Sequence, residues 1–337
     1  MIKSTPHNLT MSYIYGGRRG ERPAAITPTS VACVELMEAS QAFFPEAHLN
    51  PETMARLALA GHEILGFDSV MPEYSVHQES AAFGVEMDWG GPTMMPDGKT
   101  FPYKDFSDIV IPENILEKPS MAVILRALEI LRRQVGGRVT VLGKVMGPWT
   151  LSYHMAGTQN FLTAVGRKKY DLVKKMVEAL APVTVAFANA QFKAGADVVV
   201  VADHATGNLV GPYHYRDLLL PVHKILFKEI NGPTILHVCG RTLDRMDLFA
   251  QSGVDVYHFE SANGAAEALE KVNGSITLAG NINNPQVLLE GTPEDVYRES
   301  RKVIEAGLTL VAPECAIPLT TPLANLKAIV EAAKEGF

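Results

Sequence analysis

Only three cysteines occur in 337 residues, too few for the disulfide framework of a secreted scaffold, so each thiol needs its own explanation. No window holds the roughly 18 uncharged apolar residues that a membrane span requires. The opening MIKSTPHNLTMSYIYGG has no secretory-type apolar region. The expectation is a soluble, cytoplasmic protein without membrane contact. A surplus of basic charge is also missing: 30 Lys and Arg are scattered among 37 Asp and Glu, for a net charge of -7. That excludes a generic nucleic-acid surface, though not a local basic site for a small anion. Low-complexity tracts, heptad runs and Pro- or Ser-rich linkers are absent too. Nothing divides the chain, and residues 1–337 are expected to form one domain.

What is present is ordinary globular material, 47% hydrophobic and 20% charged, arranged as a repeating unit. Short β-branched runs at 24–29, 68–71, 139–145, 197–202, 234–238, 254–259, 276–279 and 308–312 are mostly followed by helical patterns. The clearest helices cover 121–134, 170–194, 213–229, 293–306 and 322–335, several with Pro in the first turn or a nearby Thr cap. In AGADVVVVAD a helix ends near Gly195 and a run apolar on both faces follows, as a central parallel strand requires. Eight strand-then-helix units predict an α/β fold, a (β/α)8 TIM barrel, in preference to the doubly wound sheet that shares this alternation. Residues 84–104 interrupt the pattern and read as a hairpin or lid inserted after strand two, behind an N-terminal extension.

Catalytic groups of a parallel barrel sit where strands end and loops begin. Those positions are polar here: Asp203 and His204, His237 and Cys239, His258 and Glu260, Asn281 and Asn283, Glu314 and Cys315. His237 and Cys239 are two apart on an extended segment and so face one way, which makes half a zinc site. Cys315, at the end of the last strand, lies at the same barrel mouth. Two thiolates and one imidazole leave the fourth tetrahedral position open, the pattern of a catalytic zinc, and sulfur ligands disfavour magnesium or calcium. Cys33, in the apolar stretch VACVELM, reads as a small buried hydrophobe. Glu260 is the candidate for a displaceable fourth ligand, or else a hydrogen-bonded carboxylate at the mouth, and His258 for a residue that orients a ligand.

ILHVCG followed by LVAPECAIPLTTPLANLKAIV resembles the uroporphyrinogen decarboxylase superfamily, and within it the zinc-containing methylcobamide:coenzyme M methyltransferases. FPEAHLNPETMARLALAGHEILGFDSV resembles the first helical unit of that family, and MGPWTLSYHMAG its third strand and loop. The resemblance implies a zinc ion on His237, Cys239 and Cys315 that activates a small-molecule thiol. It also implies a methyl donor in the form of a corrinoid supplied in trans by a partner protein. The match of Asp203, His204 and Gly207 to a corrinoid-carrier signature is treated as chance, because the Asp is adjacent to the His. GGRRG, residues 16–20, is likewise weak evidence for a dinucleotide site.

Arg241, next to the expected metal site, is suited to a sulfonate or carboxylate on the acceptor, or else is a surface residue at a helix start; Asp203 and Asn281 are further candidates for substrate contact. Other readings stay open. The chain could load methyl groups from a methoxylated or methylamine substrate onto a corrinoid protein. It could be a metal-free porphyrinogen decarboxylase with Arg18, Arg19 and Arg22 around carboxylates, or a non-catalytic module that binds a corrinoid protein.

Overall fold

The computed structural model describes residues 4–16 and 20–337. Arg18 and Arg19, and with them the centre of the 16–20 segment, lie outside the described residues. The barrel begins with β1 (Ala24–Ala25) and β2 (Ser69–Val70). An antiparallel hairpin of β3 (Met87–Asp88) and β4 (Asp97–Gly98) follows. The barrel then continues through β5 (Thr140–Met146), β6 (Val198–Ala202), β7 (Thr234–His237), β8 (Val256–Phe259), β9 (Thr277–Ile282) and β10 (Leu310–Pro313). The eight barrel strands are parallel in the order β1-β10-β9-β8-β7-β6-β5-β2. Each is followed by helical structure, so the fold is the expected (β/α)8 TIM barrel.

The β1–β2 seam lacks a regular ladder and is closed by two side chains and one backbone hydrogen bond. Asp68 accepts from the Ala25 amide at 2.9 Å, the Ser69 hydroxyl accepts from the Thr27 amide at 2.8 Å, and the Asp68 amide donates to the Ala25 carbonyl at 2.7 Å. Asp68 also holds the Arg22 guanidinium in a two-pronged pair at 2.6 and 2.8 Å. Arg22 therefore sits at the entry to β1, on the face opposite the barrel mouth, and is not available there for substrate carboxylates.

Leu142, Val198, Val200, Ile235, Val256 and Leu310 fill the barrel interior. Every residue of β6 is buried, and each Val so placed contributes about 1.5–3 kcal/mol relative to an exposed one. Helix Pro6–Ile14, capped by the Thr5 hydroxyl on the Asn8 amide, sends Leu9, Tyr13 and Ile14 into the same cluster and plugs its lower end. The N-terminal extension is thus part of the core.

Helices Tyr170–Ala194 and Pro293–Ala306 begin and end where the pattern predicts. The first stops at Gly195 in a left-handed turn (φ 116°), and the second starts with a Thr292/Asp295 capping box. Within 213–229 the helix widens into a π turn over Tyr215–Leu219 before Pro221, which has no amide hydrogen to give. The segment read as a loop after the third strand is instead helix Pro148–Ala156, with every residue buried. Among the described residues, no helix is long and apolar enough to cross a membrane.

Candidate metal centre

Extended backbone brings His237, at the end of β7, and Cys239 to one side, and the loop after β10 carries Cys315 to meet them. Cys239 Sγ lies 3.1 Å from His237 Nε2 and 3.4 Å from Cys315 Sγ, and Cys315 Sγ is 3.5 Å from His237 Nε2. Two overlapping sets of donor atoms, each within 4.8 Å, meet at Cys239: His204 with His237 and Cys239, and Cys239 with Glu260 and Cys315. The first sequence-predicted triad and Glu260 thus come together. His204, which the sequence did not place among the metal ligands, joins them.

The electrostatics suit a cation. Burial, then the nearby His258 and His204 rings, hold His237 well below the usual histidine range, so its nitrogen is free to act as a ligand. Between the two thiols, their hydrogen bond pulls Cys315 down, while the same hydrogen bond and then burial push Cys239 up. Burial raises the half-exposed Glu260, with Glu314 adding to the rise, while the Gly240 amide and Cys239 oppose it. A borderline-soft dication relieves this crowding of two sulfurs, an imidazole and a carboxylate, and the donor set fits zinc.

Each of these loops is held by side chains, of which Asn263 and Asn284 were not singled out in the sequence. Asn263 accepts from the Thr242 and Leu243 amides and donates to the Gly240 carbonyl, fixing the backbone just beyond Cys239. Glu314 accepts from the Ser261 and Asn284 amides, and Asn284 donates to the carbonyls of Cys315 and Ala316 at 3.1 and 2.9 Å. His258 donates through Nε2 to the Pro313 carbonyl and packs its ring 4.6 Å from that of His237.

Three expected substrate contacts are elsewhere. Asp203 is fully buried and spent on the protein itself: it accepts from the Thr150 amide at 2.7 Å and from His223 Nε2 at 2.9 Å. Asn281, also buried, donates to the Asn263 carbonyl. Arg241 is exposed, because Gly240 takes a left-handed turn (φ 78°) that carries the chain away from the centre. A side chain on Gly240 would come within 2.4 Å of the Thr206 hydroxyl. Gly207, the last residue of the apparent corrinoid signature, has its own packing reason: a Cβ there would lie 1.8 Å from the Arg241 carbonyl oxygen. His204 of that signature hydrogen-bonds to the Tyr153 hydroxyl at 3.0 Å.

Beside the centre is a cavity of about 250 Å³, walled by Thr29, Tyr74, Met95, Lys144, His204 and Cys315 among others. Met95 comes from the β3–β4 hairpin region, which therefore covers the mouth as an inserted lid would.

The uroporphyrinogen decarboxylase (URO-D) profile matches residues 5–336. The chain belongs to the uroporphyrinogen decarboxylase family. Within it, the chain is 32% identical over 324 residues to the methylcobamide:CoM methyltransferase MtaA of Methanosarcina barkeri, covering 95% of both chains. It is 30% identical to a methylated-thiol–coenzyme M methyltransferase of Methanosarcina mazei, covering 98% of this chain and 89% of that one. A solved methyltransferase structure from Methanosarcina mazei superposes with a TM-score of 0.94 at 31% identity, over 98% of this chain and 99% of the other. These full-length family relatives are methyltransferases.

Proposed function

We propose that this chain is a zinc-dependent methyltransferase, a single barrel domain that moves a methyl group from a methylated corrinoid protein to a thiol acceptor of the coenzyme M kind. The observation that carries the reading is the meeting of His237 Nε2, Cys239 Sγ and Cys315 Sγ, no two more than 3.5 Å apart, at a mouth that also opens on a small cavity. His237, Cys239 and Cys315 are the proposed zinc ligands, with Glu260 as the group displaced when substrate enters. Zinc supplies Lewis acidity that lets a bound thiol lose its proton at neutral pH. The two cysteine sulfurs offset the charge of the metal and keep the acceptor sulfur electron-rich. In the overall reaction the acceptor sulfur bonds to the methyl carbon and the thiol proton is released. The cobalt–carbon bond breaks with both electrons going to cobalt, so methyl-Co(III) becomes Co(I). The relative named as a methylcobamide:CoM methyltransferase supports these donor and acceptor classes, and the one named as a methylated-thiol–coenzyme M methyltransferase supports the acceptor class.

The test is demethylation of methylcobalamin with a panel of thiols, followed through the absorption of Co(I), before and after zinc is removed by chelation and restored. Thiol- and zinc-dependent Co(I) formation is expected. Methyl loading onto a corrinoid protein from a methoxylated or methylamine substrate, with no response to any thiol, would replace this reading. A second expectation concerns the supporting loops. Asn284→Ala frees the carbonyls of Cys315 and Ala316, so zinc affinity measured by chelator competition should fall about 10- to 100-fold, as when other outer partners of metal ligands are removed. Unchanged affinity would mean that Asn284 serves only the fold.

A further inference from the structure

The outer face of a barrel helix is ordinarily charged, and helix Pro293–Ala306 carries seven charged residues in its 14. Residues 179–192 of helix Tyr170–Ala194, ALAPVTVAFANAQF, are a stretch of the same length and carry none. A helix without charge on any side is expected to be buried on every side. Here only one side is. Val183, Thr184, Phe187, Ala188 and Gln191 are buried against the barrel, whereas Pro182 and Ala186 are exposed and Ala181, Val185 and Ala190 are half-buried. The outward face continues onto helix Leu220–Glu229, where Pro221 is exposed and Ile225 is 59% exposed. Between the two helices runs a groove of about 290 Å³, walled by Ala181, Pro182, Val185, Pro221 and Ile225 among others. The Asn189 side chain is already used within the chain: it donates to the Glu229 carbonyl at 3.1 Å and accepts from the Asn231 amide at 2.8 Å. An apolar face of this length on a surface marks a contact site.

The charges at the two ends of the face indicate what covers it. Glu178 and Lys193 are exposed, and helical spacing puts them on the same outward face as Pro182, Ala186 and Asn189. Neither has an ion-pair partner among the described residues. In an antiparallel pair of two such helices centred between Val185 and Ala186, Glu178 stands opposite Lys193 of the partner subunit, Ala181 opposite Ala190 and Val185 opposite Ala186. Both ion pairs then form at once, as a two-fold axis requires, and the small residues between them let the two helices approach closely. A parallel pair in register would set Glu178 against Glu178 and Lys193 against Lys193, so the charges choose the antiparallel one. We propose that this chain forms a homodimer through the outer faces of helices Tyr170–Ala194 and Leu220–Glu229, the first helix of each copy seated antiparallel in the groove of the other. Both helices lie on the barrel wall, so the pairing leaves the mouth and metal centre of each copy open.

Analytical ultracentrifugation of the whole chain tests the pairing. The wild-type protein should sediment as a dimer at about 100 μM, a concentration at which an interface of micromolar dissociation constant is filled. Ala186→Glu, which sets two carboxylates face to face beside the axis, should raise the dissociation constant at least about a hundredfold. Glu178→Lys or Lys193→Glu alone brings like charges together at both ends and should raise it at least about tenfold, whereas the two combined should restore it. A wild-type protein that stays monomeric at about 100 μM overturns the proposal. So does a dimer that Ala186→Glu leaves intact, which would put the contact on another face. If Ala186→Glu does not fold, as judged by circular dichroism, the charge exchange decides, because a double variant that fails to recover dimerisation also overturns the antiparallel pairing.

Discussion

Replacing Cys239 or Cys315 by Ala is expected to reduce bound zinc from about one ion per chain to below about a tenth of that, and to abolish thiol-dependent methyl transfer. Among the described residues, His237 Nε2, Cys239 Sγ and Cys315 Sγ stand within 3.5 Å of one another. Losing one thiol leaves an imidazole and a single sulfur, and the half-exposed Glu260 is a poor substitute for a thiolate. The fold should survive, because both cysteines lie at the mouth, above the apolar layer of Leu142, Val200, Ile235, Val256 and Leu310. Cys33 is the internal control: it is fully buried, and burial pushes its thiol up to about 11. Cys33→Ala should keep its zinc. Elemental analysis and Co(I) absorption measure the outcome, and a Cys315→Ala protein with full zinc and turnover would sink the ligand assignment. His237→Ala is a less clean variant. Its ring packs 4.6 Å from that of His258 and 5.8 Å from that of His204, so its loss removes packing along with a ligand.

The second large effect is on stability. Asp203→Ala should lower the unfolding free energy by about 3 kcal/mol or more, because each buried donor left without its acceptor costs about 1–3 kcal/mol. Asp203 and His223 are both fully buried and 2.9 Å apart, and the Tyr215 hydroxyl holds the other nitrogen of His223 at 3.0 Å. The same carboxylate caps the start of helix Pro148–Ala156 through the Thr150 amide, so the variant strands a helix end and an imidazole together. Urea unfolding followed by circular dichroism reads the loss. If Asp203 contacted substrate instead, the variant would show a raised KM at unchanged stability, and that result would restore the expectation drawn from its place at a strand end.

Why the sequence misled at Asp203 and Arg241 is physical. A polar residue at the end of a barrel strand can point to the mouth or bond to the connection after a neighbouring strand, and one-dimensional spacing does not choose between them. Asp203 and Asn281 took the second course, binding the Thr150 amide and the Asn263 carbonyl. Arg241 follows Cys239 by two positions, the spacing that would align them on an extended strand. The left-handed Gly240 between them breaks that alternation. His204 was visible at its strand end, but its meeting with His237 and Cys239 depends on how closely the β6 and β7 loops approach, with Gly207 packed against the Arg241 carbonyl.

By itself the sequence determined the eight-fold strand and helix alternation, because a buried parallel strand such as Val198–Ala202 must be apolar on both faces and a helix must stop at a residue like Gly195. It also determined that His237 and Cys239 face one way, since side chains alternate along an extended chain whatever surrounds them. Tertiary structure decided everything that joins distant segments. Closure of the β1–β2 seam through Asp68, the locking of the Cys315 loop by Glu314 and Asn284, and the arrival of Lys144 in the cavity each depend on residues brought together from different strands and loops. No local spacing encodes such contacts, because their partners are set by barrel closure and by the loops that closure brings within hydrogen-bonding reach.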